Sequence, residues 1–140
     1  MNMPLNTSAD TTNLVEQARF NMIEQQIRPW RVLAEDVLDL MTEVRREEFA
    51  PIAYRSMAFM DIEIPLNESV EEAERPGQVM LPPRVEARML QDAAVKSTDR
   101  VLEIGTGSGY MAALLGRSGS QVLSLEINAD LVEFAKENLR

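Results

Sequence analysis

Apolar residues return at helical spacing over two N-terminal stretches and then give way to short runs that break at glycine. After Thr11 or Thr12, either of which can cap a helix, Val15, Ala18 and Met22 form one stripe and Phe20, Ile23 and Ile27 its neighbour. That pattern predicts a helix to about Ile27. Arg28-Pro29-Trp30 ends it, because the residue before a proline is pushed out of the helical region. Glu35 and Asp36 open a second helix, where negative charge suits the N-terminal dipole. Val37, Leu40, Met41 and Val44 fall at i, i+3, i+4 and i+7, which carries that helix to near Arg46. Residues 51–65 lose the period and read as extended or irregular, with Tyr54, Met57, Phe59, Ile62 and Ile64 as the points to bury.

Residues 67–76 carry Glu68, Glu71, Glu72 and Glu74 with little to bury, and read as an exposed acidic loop with room for one helical turn. A second loop, residues 77–83, leads through Pro82-Pro83 into a helix marked by Val85, Met89, Leu90 and Ala93. The pattern then alternates: an apolar run to Ile104, a helix over 110–117, an apolar run over 121–125, and a helix over 129–140 capped by Asn128. Leu131, Phe134, Ala135 and Leu139 form the inward face of that last helix. The fold class that follows is α/β: an N-terminal helical segment, then the first βαβα part of a doubly wound, Rossmann-like sheet. The organisation reads as a loose leader over 1–12, a helical and loop region over 13–98, and the start of the Rossmann-like domain over 99–140. Two strands leave both sheet edges open. The 140 residues are therefore expected to be the N-terminal part of a longer protein, or to self-associate through those edges.

Composition narrows the chemistry. The chain has no cysteine, which excludes disulfides, thiol nucleophiles and cysteine-ligated metals, and no histidine, which removes the usual general base. No metal site is expected. A formal charge of −9 argues against nucleic acid as a partner. No apolar run approaches the roughly 20 residues that span a bilayer, and the polar N-terminus lacks the features of a signal peptide, so a cytoplasmic protein is expected.

The most informative stretch is Val101-Leu102-Glu103-Ile104-Gly105-Thr106-Gly107-Ser108-Gly109. Strand, glycine turn and helix start in that order let a nucleotide-like ligand lie against bare backbone. The dinucleotide fingerprint is Gly-x-Gly-x-x-Gly; here the third glycine comes one residue early and Tyr110 follows it. Glu103 precedes the first glycine by two positions, and Glu126 ends the second apolar run about 20 residues after it. A carboxylate there is placed to accept two ribose hydroxyls. An ordinary βαβ turn, with glycines only for tight packing, is the competing reading.

Gly-x-Gly-x-Gly after an acidic residue resembles motif I of class I S-adenosylmethionine-dependent methyltransferases. Upstream, Arg46-Glu47-Glu48-Phe49-Ala50-Pro51, Tyr54, Phe59-Met60-Asp61, Ile64-Pro65-Leu66, Gly77-Gln78, Pro83 and Ala87-Arg88-Met89 occur in that order. That order resembles the protein-L-isoaspartate O-methyltransferase family. The resemblance implies S-adenosylmethionine as cofactor, held by Glu103, Gly105, Thr106, Gly107, Ser108, Gly109 and Glu126, and a protein or peptide carboxylate as methyl acceptor. It implies Asp61, Val79 and Leu81 on the substrate side, although Asp61 reads equally as a loop-capping carboxylate. In the family a Gly-Gln-Thr-Ile-Ser-x-Pro loop offers hydroxyls to the substrate carboxylate. Here Val79 stands for threonine, Met80 for isoleucine and Leu81 for serine. The cofactor residues match and the acceptor residues do not. Three readings stay open at this point: a methyltransferase with an altered acceptor loop, a non-catalytic S-adenosylmethionine-binding or protein-interaction relative, and a nicotinamide-dependent oxidoreductase. Trp30 reads as a packing aromatic, and Arg84 and Arg88 either as a lure for a carboxylate or as solvated helix arginines.

Overall fold

A computed structural model describes residues 7–140. Helix α1 spans Thr7–Met22 and starts ahead of the expected cap. Thr11 and Thr12 therefore lie inside the helix, residues 7–12 are helical where a loose leader was expected, and the rest of that leader falls outside the described residues. The helix runs on into a π-helical turn, Ile23–Ile27, and a 3-10 turn, Arg28–Trp30, and stops at Arg31 with φ +63°. Met22, Ile23 and Ile27 are buried as expected, but Phe20 is 58% exposed. Its place toward the core is taken by Arg19, 2% exposed, which pairs with Glu16 and Glu47 and lies over the Phe59 ring. A paired arginine can occupy an inward position that hydrophobic counting assigns to a phenylalanine.

Helix α2 spans Glu35–Glu43 and ends three residues short of Arg46, because Val44 turns extended and a separate turn, α3 (Arg46–Phe49), follows. The break lets Arg46 point inward, where its side chain is fully buried. A 3-10 turn covers Ile52–Met57. Strand β1, Ile64–Pro65, pairs antiparallel with β2, Val79–Met80, so the acidic segment between them leaves and returns at one place. Within it α4, Val70–Glu74, is capped by Ser69, whose Oγ accepts the Glu72 N–H at 3.3 Å, and Ala73 is buried beneath the charges. The segment is thus more than a solvated charge run.

Helix α5, Pro83–Ala93, opens on a proline, whose missing N–H costs nothing in the first turn. Its Gln91 side chain accepts the N–H groups of Leu33 and Ala34 at 2.8 and 3.1 Å and donates to the Arg31 carbonyl at 3.0 Å. Those bonds fasten the Arg31 turn and the start of α2 to α5. The alternating part follows: β3 (Arg100–Ile104), α6 (Tyr110–Ser118), β4 (Gln121–Leu125) and α7 (Ala129–Asn138). The strands pair in parallel with Leu102 opposite Leu123 and Ile104 opposite Leu125. Asn128 caps α7 by accepting the N–H groups of Asp130 and Leu131 at 2.9 and 3.2 Å. Leu131 and Ala135 are buried, whereas Leu139, expected inward, lies past the helix end and is exposed.

One apolar core joins the two parts: Met41 of α2, Ile64 of β1 and Leu90 of α5 pack in a single cluster with Tyr110 and Leu114 of α6 and Leu131 of α7. The boundary drawn at residues 98 and 99 is a change of element type, and the core runs across it. Along the strands, Val101, Glu103, Val122 and Ser124 are half-buried, while Leu102, Ile104, Leu123 and Leu125 form an exposed apolar face. Among the described residues no helix is long and apolar enough to cross a membrane.

Candidate functional site

The site forms where β3 and β4 end. Gly105 and Thr106 both donate to the Leu125 carbonyl, at 2.7 and 3.2 Å, which turns the chain across the tip of β4. Gly105 has φ +91°, and a Cβ built on it would meet no atom within 4 Å. The conformation demands glycine and the empty space admits a ligand. Gly109, at φ +85°, caps α6, and a Cβ there would stand 3.2 Å from the Leu139 side chain. That close approach explains why Leu139 packs locally although it is exposed.

Two carboxylates flank this loop. Glu126 accepts the Gly107 N–H on Oε2 and the Asn128 N–H on Oε1, each at 2.9 Å. Burial pushes its carboxyl up, but the backbone N–H groups of Asn128, Gly107 and Ile127 outweigh that and hold it below the ordinary carboxylate range. Glu103 accepts a short hydrogen bond from Ser124 Oγ, which lies 2.6 Å from Thr106 Oγ1. Burial pushes Glu103 up, the Ser124 bond opposes it, and the nearby Glu126 charge adds to the rise. Thr106 therefore belongs to the carboxylate network. Ser108 turns inward instead: it is buried, its Oγ accepts the Tyr110 N–H at 3.3 Å, and its carbonyl accepts Asn138 Nδ2–H at 2.9 Å.

A cavity of about 400 Å³ opens beside the loop. It brings Val79 and Leu81 together with Glu103 and Gly105, Thr106, Gly107 and Ser108, and Met89 of α5 adds to an apolar wall. Gly109 and Glu126 stand outside that lining, Gly109 at the helix cap and Glu126 at the loop's other side. Asp61 also lies elsewhere. Its Oδ2 is 2.9 Å from Arg84 Nε, without the alignment of a hydrogen bond, and the guanidinium stacks on Trp30 at 4.2 Å. Arg88 pairs with Asp92 within α5. Both arginines have partners other than a ligand, and Trp30 is a platform for Arg84.

Pattern reading overlooked two residues. Arg46, in α3, donates from Nη1 to Glu86, from Nη2 to the Leu81 carbonyl at 2.5 Å and from Nε to the Ala58 carbonyl at 2.9 Å. Its guanidinium lies 5.3 Å from the centre of the Tyr110 ring. Glu86, in the first turn of α5, lines the cavity; burial pushes its carboxyl up to about 7, the Arg46 charge and hydrogen bond pull it down, and Glu103 adds a small rise. The only sequence signal for Arg46 is its place at the head of the Arg-Glu-Glu-Phe segment, and for Glu86 there is none.

The family model described as Protein-L-isoaspartate(D-aspartate) O-methyltransferase matches residues 17–140. The chain belongs to this family. Protein-L-isoaspartate O-methyltransferases from Koribacter versatilis and Methanoculleus marisnigri are 38% and 39% identical to it over 121 residues, which is 86% of this chain and 51% of each relative. The chain thus spans about half the length of the curated relatives it matches. A Plasmodium falciparum family structure in complex with S-adenosyl-L-homocysteine superposes with a TM-score of 0.66 at 20% identity, over 89% of this chain and 54% of that one. A second solved protein-L-isoaspartate O-methyltransferase gives 0.61 at 25% identity, over 89% and 38%. These likenesses extend the family fold to the helical N-terminal segment as well as to the Rossmann-like strands.

Proposed function

We propose that this chain binds S-adenosylmethionine across the glycine loop, as part of a methyltransferase for protein carboxyl groups whose acceptor wall is altered. The observation that carries the reading is the loop itself, open at Gly105 and flanked by Glu103 and Glu126. The residues fit the ligand. The Glu126 carboxylate, met by backbone N–H groups of Gly107, Asn128 and Ile127, has about four lone-pair sites, so acceptor capacity remains for ribose hydroxyls. Glu103 faces the cavity beside the loop, where a carboxylate can receive an ammonium. When bound, the sulfonium supplies an activated methyl group.

The chain's own part is positioning. The glycine loop and Glu126 orient the donor, while Val79, Leu81 and Met89 exclude water from the approach. A carboxylate acceptor is already ionised at neutral pH and needs no base, which suits a chain without histidine. Val79 and Leu81 give such an acceptor no hydroxyl, so the reading includes a changed acceptor preference within the chemistry of protein repair. Calorimetric titration tests the cofactor half: S-adenosylhomocysteine binds saturably and NAD gives no heat. Binding of NAD alone would return the chain to the oxidoreductase reading.

A further inference from the structure

We propose that Arg46 is a positioning residue that fixes the distance and angle between the acceptor loop and the glycine loop, with Glu86 holding Arg46 in place. The inference rests on the cofactor reading above and goes beyond it. Arg46 is fully buried and ties together elements far apart in sequence. One nitrogen holds the Leu81 carbonyl of the acceptor loop, another the Ala58 carbonyl, and a third Glu86 at the start of α5. The face of the guanidinium lies over Tyr110, the residue that directly follows Gly109. The same planar group therefore touches the cavity wall at the Leu81 carbonyl and, through the Tyr110 ring behind the lining, the start of the helix that follows the glycine loop. The two-residue ladder between β1 and β2 fastens Val79 and Met80 but ends before Leu81. Gln78 is tied to Leu66 and Ala73 through backbone hydrogen bonds on the near side of that ladder, and Arg46 holds the Leu81 carbonyl on its far side. A lysine cannot replace this fork, because one ammonium does not reach three acceptors in fixed planar directions. Glu86 is needed since an unpaired buried guanidinium would seek solvent.

The experiment uses three variants of the chain: Arg46→Lys, Glu86→Gln, and the double variant Arg46→Met with Glu86→Leu. Replacing a buried ion pair by apolar side chains often preserves stability, so the double variant separates anchoring from folding. Hydrogen exchange is followed over residues 77–83 and 105–110, with and without S-adenosylhomocysteine, beside thermal melts and calorimetry. In the unaltered chain the ligand should slow exchange in both segments. In the double variant the melt should persist while residues 77–83 exchange about tenfold faster. In Arg46→Lys the ligand should still protect 105–110 and no longer protect 77–83. Unchanged exchange over 77–83 in a folded double variant overturns the proposal. Should that variant fail to fold, retained ligand protection of 77–83 in Arg46→Lys overturns it equally. If the unaltered chain binds no S-adenosylhomocysteine, the cofactor reading fails, and ligand-free exchange in the variants still decides the anchor.

Discussion

Replacing Glu126 by alanine is the sharpest test of the proposed cofactor site, since in that reading the side chain holds both the loop and the ligand. It accepts the Gly107 and Asn128 N–H groups at 2.9 Å, and in the proposed reading its remaining lone pairs accept ribose hydroxyls. Hydrogen bonds to a charged group contribute about 1.5–3 kcal/mol each. Loss of one ligand bond should therefore weaken S-adenosylhomocysteine by about 10- to 150-fold, and loss of both by more. The loop contributes separately. Gly107 has φ +54°, and without Glu126 its N–H would have only water to hold that orientation.

Glu126→Gln separates the two jobs. Its one carbonyl oxygen can still accept one N–H, whereas its amide nitrogen must face the other, so the variant should fall between alanine and the unaltered chain. Calorimetry with S-adenosylhomocysteine measures binding, and thermal melts report the loop. The pH dependence has a definite sign. The folded-state value of Glu126 lies below the ordinary 4.5, so its contribution to stability is present above about pH 4.5 and is lost as pH falls through the lower folded value. Glu126→Gln should flatten that acid limb. Binding by Glu126→Ala within about twofold of the unaltered chain would refute the ribose assignment.

Three further outcomes follow from the same structure. An isoaspartyl peptide should be a poor methyl acceptor for the intact protein, because Val79 and Leu81 remove one or two charge-assisted bonds of about 1.5–3 kcal/mol each; Val79→Thr with Leu81→Ser should raise methyl transfer to it over its aspartyl twin, and robust isomer-selective turnover without those changes contradicts the reading. Glu86, raised in the fold to about 7 while Arg46, Glu103 and Tyr110 face it, binds a proton that the unfolded chain releases from about 4.5 upward, so its contribution to stability falls as pH rises from about 4.5 to 7. Glu86→Gln should therefore gain stability relative to the unaltered chain as pH rises from about 4.5 to 7, by at most about 1.4 kcal/mol per pH unit, and level off above that; a pH-independent difference in melts over this range rules this out. The 140-residue chain should sediment as oligomers, since Leu102, Ile104, Leu123 and Leu125 expose an apolar sheet face, and Leu123→Lys should shift it toward monomer; a clean monomer without the change refutes this role for the face.

What the sequence made legible divides by the range of the forces involved. The run from β3 to α7 follows from local signals: apolar strands, glycines whose φ values are positive, and an Asn128 cap that bonds as expected. Each depends on neighbours in the chain, so each can be read from neighbours. The N-terminal helix began ahead of its predicted cap because Thr11 and Thr12 are tolerated within a helix, where threonine is only mildly unfavourable. The break after α2 left no local trace. Val44 continues the apolar stripe, yet the chain turns extended there so that Arg46 can enter the core. The β1–β2 pair was invisible for another reason: two residues per strand are too few for alternation to show.

The same division explains the site. Glu103, Gly105, Gly107 and Glu126 meet because one crossover returns β4 beside β3, so their sequence spacing already encodes their proximity. Asp61 carried a motif match but no such constraint, and the structure places it against Arg84, away from the cavity. The wall formed by Val79 and Leu81 depends on contacts across long stretches of chain. Leu81 is reached by Arg46 from 35 residues away, and Glu86 by the same arginine from 40. A buried arginine with three acceptors is specified by the sum of its partners, and no window along the sequence contains them all. The wall of this cavity that carries Val79 and Leu81 is therefore a tertiary property, while the glycine loop is nearly a local one. Substitution can change the first and leave the second intact, which is the pattern Val79 and Leu81 present beside an unaltered glycine loop.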